Sequence, residues 1–214
     1  YKRQTFNSFT EGSNNNFQYA TGSTMYYNPA GLGDFNVNIN ATDDGSGMNR
    51  VEFPDLNITG TNWTPNGTDP ATPYTWNYAW TAGAVAPTGT VATGFDNAGN
   101  SATAAFTILA DPNPPIGGSI IYNGGPTSAL DVDISFDPSS DTQSGYERHY
   151  LQRRQAQLTA NTCGTYTSWA NLGGESPASP YTDATISDGY CYQYRLVTHD
   201  HVDNSRTIAP ATTI

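Results

Sequence analysis

Four stretches of the chain place large side chains at every second position. Phe35, Val37 and Ile39 alternate with Asn36, Asn38 and Asn40. Val132, Ile134 and Phe136 alternate with Asp131, Asp133 and Ser135. Tyr192, Tyr194, Leu196 and Thr198 share one face, as do Tyr74, Trp76, Tyr78 and Trp80. A period of two marks a strand with one buried face. Further strands are expected at residues 19–27, in VEFPDL (Val51 and Phe53 on one face), in TGTVATGF and in SATAAFTIL. In the second half they are expected in SIIYNGG and RTIAPATTI. Pro54 argues against a central, fully paired position for VEFPDL. YERHYLQRRQAQL has a pattern a helix would also satisfy, but turn signals on both sides favour a strand. No window sustains a 3.6-residue apolar stripe, so the pattern predicts an all-β protein.

At about 100 residues per sandwich, 214 residues accommodate two domains. The reading is an N-terminal arm over residues 1–18, a first β-sandwich over 19–111 and a second over 112–214. The arm is extended, with one strand possible in it. DPNPPIGG, from Asp111 to Gly118, forms the linker, stiffened by adjacent prolines. Asn57 to Pro73 reads as a long loop. The two halves repeat a plan. The turn Asp44-Gly45-Ser46-Gly47 corresponds to Asp141–Gly145, with the Ser-Gly pairs 98 residues apart, and Asp96–Asn100 corresponds to Asp200–Asn204, 104 residues on.

Charge narrows the partners. Eight Lys and Arg against nineteen Asp and Glu leave a formal net charge of −11. Phosphate backbones and anionic membrane surfaces both call for a basic surface, so nucleic acid and lipid are poor candidates. No apolar run is long enough for a transmembrane helix. There is no signal peptide, and Tyr1 in place of Met suggests a processed chain or a fragment. Mean hydropathy is negative although only 13% of residues are charged, because the polarity comes from Asn, Thr, Ser and Gly.

Candidate chemistry is sparse. Cys163 and Cys191, with no CxxC spacing, suit a disulfide better than a metal or redox site, the alternative being two free buried thiols. A disulfide implies an oxidising compartment outside the cytoplasm. His149, His199 and His201 are the three histidines a Ser-His-Asp triad would draw on, and no G-x-S-x-G nucleophile motif accompanies them. His199 and His201 share a face, which would suit a metal if a third ligand were present. No enzymatic activity is expected. Calcium is the one candidate cofactor, through Asp43, Asp44, Asp96 and Asp111 near the linker, with Asp137, Asp141 and Asp200 in the second half. The alternative is that these acids cap their own turns. N-x-[ST] sequons at Asn40, Asn57, Asn62 and Asn66 are candidate glycosylation sites. The Tyr74–Trp80 aromatics fill a core or offer a stacking platform for sugars.

The turns DDGSG and DNAGN, the stretches STMYYNPAG, TWNYAWTAG and TGFDNAGNSATAAFTILAD, and then PPIGGSIIY, ISFDPSSDTQSG, LQRRQAQLTANTCGTY and SPYTDATISDGYCYQYRLVTHDHVDN, taken in order, resemble the bacterial Ig-like and fibronectin-type-III-like modules of large secreted, adhesin-like surface proteins. The resemblance covers residues 19–214. His201 and Asp203 depart from the Val-Gly form usual in the second D-x-V-G-N turn. The resemblance implies an Ig-like sandwich followed by a fibronectin-III-like one, an extracellular or cell-surface location, and a spacer, adhesive or assembly role without catalytic residues. Expected partners are copies of the chain or neighbouring repeats, with surface glycans as a further possibility. The arm lies outside the resemblance, and Thr5, Phe6 and Phe9 in it are the residues expected to add a strand to a neighbour's sheet. The competing functions are a carbohydrate- or receptor-binding module and the accessory domains of a secreted hydrolase.

Overall fold

The computed structural model describes residues 2–57, 60–210 and 213–214. The protein is all-β, with eighteen strands and one 3-10 turn, Asn15–Phe17, among the described residues. Among them, too, no helix is long and apolar enough to cross a membrane. The chain divides into two compact units, residues 1–112 with 201–203, and residues 113–200 with 204–214. In both, sheets are layered around an apolar core in the manner of a β-sandwich.

The first unit holds β1 (Lys2–Glu11), β2 (Gln18–Thr21), β3 (Thr24–Tyr27), β4 (Gly33–Asp43), β5 (Met48–Phe53), β6 (Gly67–Asp69), β7 (Tyr74–Trp80), β8 (Val91–Asp96), β9 (Ser101–Ala105) and β10 (Thr107–Ala110). They form sheets in the orders β1-β4-β7, β10-β3-β2 and β6-β5-β8-β9. The alternation in β4 does what its period demands: Phe35, Val37 and Ile39 are buried while the asparagines between them face out. Tyr78 and Trp80 of β7 join them, and Tyr27, Trp63 and Trp80 pack edge to face or tilted within 4.9 to 5.7 Å. Such ring pairs add about 0.5–1.5 kcal/mol each beyond the area they bury.

Three features differ from the pattern-based expectation. The single strand expected over residues 19–27 is a hairpin, because Gly22 takes a φ of 55° and turns the chain within two residues. The stretch from Asn57 to Pro73 is not a plain loop: it contains β6 and sends Trp63 into the core, bridged to Trp80. Gly67 is needed in β6 because a Cβ there would lie 2.0 Å from the Trp76 ring. Lastly, the N-terminal segment is a ten-residue strand of the first unit, antiparallel to β4, with Thr5 opposite Asn40 and one register shift between Phe6 and Ser8. Its inward residues Phe6 and Phe9 pack on the core, and Gln4 accepts the Gly94 amide proton through Oε1 at 2.8 Å.

The second unit holds β11 (Ser119–Ile121), β12 (Val132–Asp137), β13 (Tyr146–Thr159), β14 (Thr162–Cys163), β15 (Ala170–Leu172), β16 (Tyr181–Asp183), β17 (Tyr190–Asp200) and β18 (Ser205–Ile208). One sheet runs β11-β12-β16. The other runs β14-β13-β17-β18, with β15 also paired to β13. YERHYLQRRQAQL lies wholly in β13, a fourteen-residue strand. Val132, Ile134 and Phe136 from the first sheet meet Leu151, Tyr192, Tyr194 and Leu196 from the second in one core.

Candidate functional site

The acids that sequence patterning singles out are mostly occupied in building corners. After β4, Asp43 Oδ2 accepts the Gly47 amide proton at 3.0 Å and a bond from the Ser46 hydroxyl. After β12, Asp141 Oδ1 accepts the Gln143 and Gly145 amide protons at 2.8 and 2.9 Å. Both carboxylates thus reach the backbone four residues ahead. The second pair of turns matches more closely. Asp96 receives the Asn100 amide proton on Oδ1 and the Asn100 side-chain amide on Oδ2, both at 2.8 Å. Asp200 receives the same two bonds from Asn204, at 2.9 and 2.8 Å. The repeat seen in the sequence is therefore a repeat of hydrogen bonds. In the first unit the two turns lie side by side, since Asn97 N–H donates to the Gly47 carbonyl and its side-chain amide to the Ser46 carbonyl. Asp44 is exposed. Asp111 is fully buried, and its amide donates to the Tyr27 carbonyl at 2.9 Å.

Cys163 and Cys191 form a disulfide, with Cα atoms 5.8 Å apart. It lies beside a cleft of about 420 Å³ lined in part by Leu158, Ile186 and Tyr190. The histidines are placed separately. His149 is buried in the second unit and donates from Nε2 to the Pro177 carbonyl at 3.0 Å, which leaves Nδ1 to accept from the Tyr146 hydroxyl. His199 packs edge-on against Tyr150. His201 stacks flat on Tyr19 in the first unit, the rings 4.0 Å apart.

Of the sequon asparagines, Asn40, Asn62 and Asn66 are exposed and Asn57 is half-buried. Asn40 donates to the Asn7 side chain and Asn62 to the Ala82 carbonyl. Thr59 of the Asn57 sequon lies outside the described residues. Among the patterned aromatics, Tyr74, Tyr78 and Trp80 are buried in the core, while Trp76 is half-buried and stacks on Phe53.

One arrangement escaped the pattern reading. On the outward face of β13 and β17, Arg154 lies over Tyr166 and Trp169 at 4.7 and 4.6 Å, and Arg195 lies over Trp169 at 4.4 Å. Arg154 donates to Gln193 Oε1 from Nε and Nη2, and Arg195 donates to Gln152 Oε1 from Nε. Burial, followed by the neighbouring Arg154 charge, pulls the Arg195 guanidinium below its usual range. Arg153, one residue away, points inward to Asp183. The signal was available: five of the eight basic residues fall between positions 148 and 206.

No family model matches the chain, and no curated protein matches it.

Proposed function

We propose that this chain is an extracellular structural module, an Ig-like sandwich followed by a fibronectin-III-like one, serving as a spacer segment or a subunit of a surface assembly. The observation that carries this reading is the recurrence, in each unit, of the same two turn closures: Asp43 and Asp141 on an amide four residues ahead, Asp96 and Asp200 on Asn100 and Asn204. Tandem copies of one plan suit a part whose task is to extend and repeat. Acids engaged in closing turns are ill placed to converge as general acid and base over a substrate. The disulfide fits an oxidising compartment.

Assembly proceeds through β1 by strand exchange. β1 is the outermost strand of its sheet and brings Phe6 and Phe9 to the core. A copy that releases β1 uncovers the β4 edge and an apolar groove, and both are satisfied again when the β1 of a neighbour enters. Thr5 and Asn40 stand opposite each other in the β1–β4 ladder, so a T5C/N40C cross-link would hold β1 in its own chain. The oxidised double variant is expected to stay monomeric under conditions in which the parent polymerises. Polymerisation of the tethered protein to the same extent would remove strand exchange from the reading.

A further inference from the structure

The second unit carries opposite charge on its two outer faces. Along β12, Val132, Ile134 and Phe136 point into the core while Asp133 and Asp137 stand exposed, and Asp131 just before the strand is exposed as well. Across the core, the outward face of β13 and β17 presents Arg154 and Arg195. Both guanidinium carbons sit within 4.6 Å of the centre of the Trp169 ring, so they are no more than about 9 Å apart. Among the described residues, neither arginine has a carboxylate partner. Their side-chain bonds go to the neutral amides of Gln193 and Gln152, and the terminal nitrogens of Arg195 and Nη1 of Arg154 make no hydrogen bond to a described residue. Two like charges are thus held side by side without a counter-charge in a chain of net charge −11.

We infer that this arginine face docks on the acidic outer face of the second unit of another copy, Arg154 and Arg195 meeting Asp131 and Asp133. Three observations select a copy of the chain as occupant. The complementary charges are built into one unit, on opposite sides of one core, so they meet only between molecules. The spacing agrees: alternate residues along a strand lie about 7 Å apart, within the reach of two flexible arginines. The planar fork suits a carboxylate, and the Asp133 Oδ1 that accepts the Thr182 hydroxyl at 2.6 Å keeps further lone pairs for it. The contact joins two different faces and is therefore heterologous, so it continues from copy to copy, as an open row or as a ring where the rotation between copies closes. It uses neither β1 nor the first unit and stands independently of strand exchange.

Exposed ion pairs are individually weak, and the contact is screened by salt. Sedimentation velocity of the full chain, run in the T5C/N40C background to suppress strand exchange, reads it directly. The expectation is concentration-dependent association that weakens roughly tenfold between about 20 mM and about 300 mM NaCl. The neutral variants R154Q/R195Q and D131N/D133N should each sediment as monomers, and an equimolar mixture of the two, in which each molecule keeps one competent face, should recover a heterodimer and no larger species. R154K/R195K, which keeps the charge, should retain association, separating charge from any loss of packing around Trp169. Failure of the mixture to associate while both variants are folded by circular dichroism overturns the inference. So does a parent that stays monomeric at low salt but binds polygalacturonate through Arg154 and Arg195, which would make this face a site for acidic glycans.

Discussion

Arg153 donates from Nη1 to Asp183 Oδ2 at 2.8 Å, and the carboxylate it meets is 1% exposed. The same oxygen accepts the Tyr194 hydroxyl at 2.9 Å, and Oδ1 accepts the Thr185 amide and hydroxyl at 3.0 and 2.6 Å. Four bonds on one buried carboxylate tie β13, β16 and β17 together. Removing one partner of such a pair leaves the other charge buried without compensation, which costs more than the pair itself contributes. Asp183→Ala is expected to destabilise the second unit by about 3–5 kcal/mol in urea unfolding. A loss below about 1 kcal/mol would mean that water reaches Arg153 and replaces the carboxylate.

The same carboxyl gives an acid dependence of known sign. Burial is the largest single influence on it and pushes its pKa up. The Thr185, Arg153 and Tyr194 bonds together outweigh burial and hold it below the ordinary value of 3.8. A carboxyl that ionises more readily folded than unfolded contributes stability above that ordinary value, and the contribution is lost as pH falls through the folded one. Unfolding free energy of the parent should therefore drop below about pH 4. The drop should be shallower in Asp183→Asn, and equal slopes would count against the assignment.

On the alkaline side the buried tyrosines act in the opposite sense. Burial raises Tyr27 to about 12, and raises Tyr78 and Tyr194 further, Asp55 and Asp183 adding to burial in those two. A folded value above the unfolded one means stability that is complete below the unfolded value of 10.0 and is lost as pH rises through the folded one. Absorbance at about 295 nm should show exposed tyrosines ionising first and a late group titrating only together with loss of the β signal. Smooth titration of all fourteen tyrosines before unfolding would contradict the burial described.

The Cys163–Cys191 bridge closes a loop of 28 residues. Loop-closure entropy assigns such a cross-link about 3–4 kcal/mol, acting on the unfolded chain. C163A/C191A should melt below the parent by a corresponding margin, with the loss confined to the second unit's transition. If the unit unfolds at the parent's temperature, the bridge constrains nothing the sheets do not already hold.

Phe9 tests whether β1 belongs to the first unit. Its ring meets Phe35 edge-on at 5.6 Å and Phe106 at 6.0 Å, and lies 4.8 Å from Phe6. Phe9→Ala is expected to cost the first unit about 2–4 kcal/mol, somewhat less than a fully buried phenylalanine. An unchanged melting curve would return the segment to the status of a loose arm.

What could be read in the sequence was what neighbouring residues decide among themselves. Phe35, Val37 and Ile39, Val132 to Phe136, and Tyr192 to Thr198 declare a buried face by alternation alone, and the structure buries them accordingly. What could not be read depended on distant partners. Nothing near Thr5 announces that Asn40 lies opposite it. Trp63 sits in a run rich in Gly, Pro and Asn, and only the far-off Trp80 explains its burial. Arg153 and Arg154 are indistinguishable as letters, yet the pleat sends one to Asp183 and the other to Trp169. Of the four aspartates proposed to gather around calcium, Asp43, Asp44 and Asp96 were legible as turn residues and Asp111 as a linker residue, and Asp43 and Asp96 also cap their own turns.

The Asp–Asn closures have one more property. Asp96 and Asp200 each accept bonds from within the four residues that follow them, and the Asn side chain returns its amide to the carboxylate of the same pentapeptide. The bend is thus closed within the pentapeptide, while Asn97 uses its own amides to hold the neighbouring Ser46–Gly47 turn. Five residues carry their own bend wherever two antiparallel strands need joining. A hairpin of unrelated sequence should accept the Asp96–Asn100 segment as a connector that brings its own closing bonds.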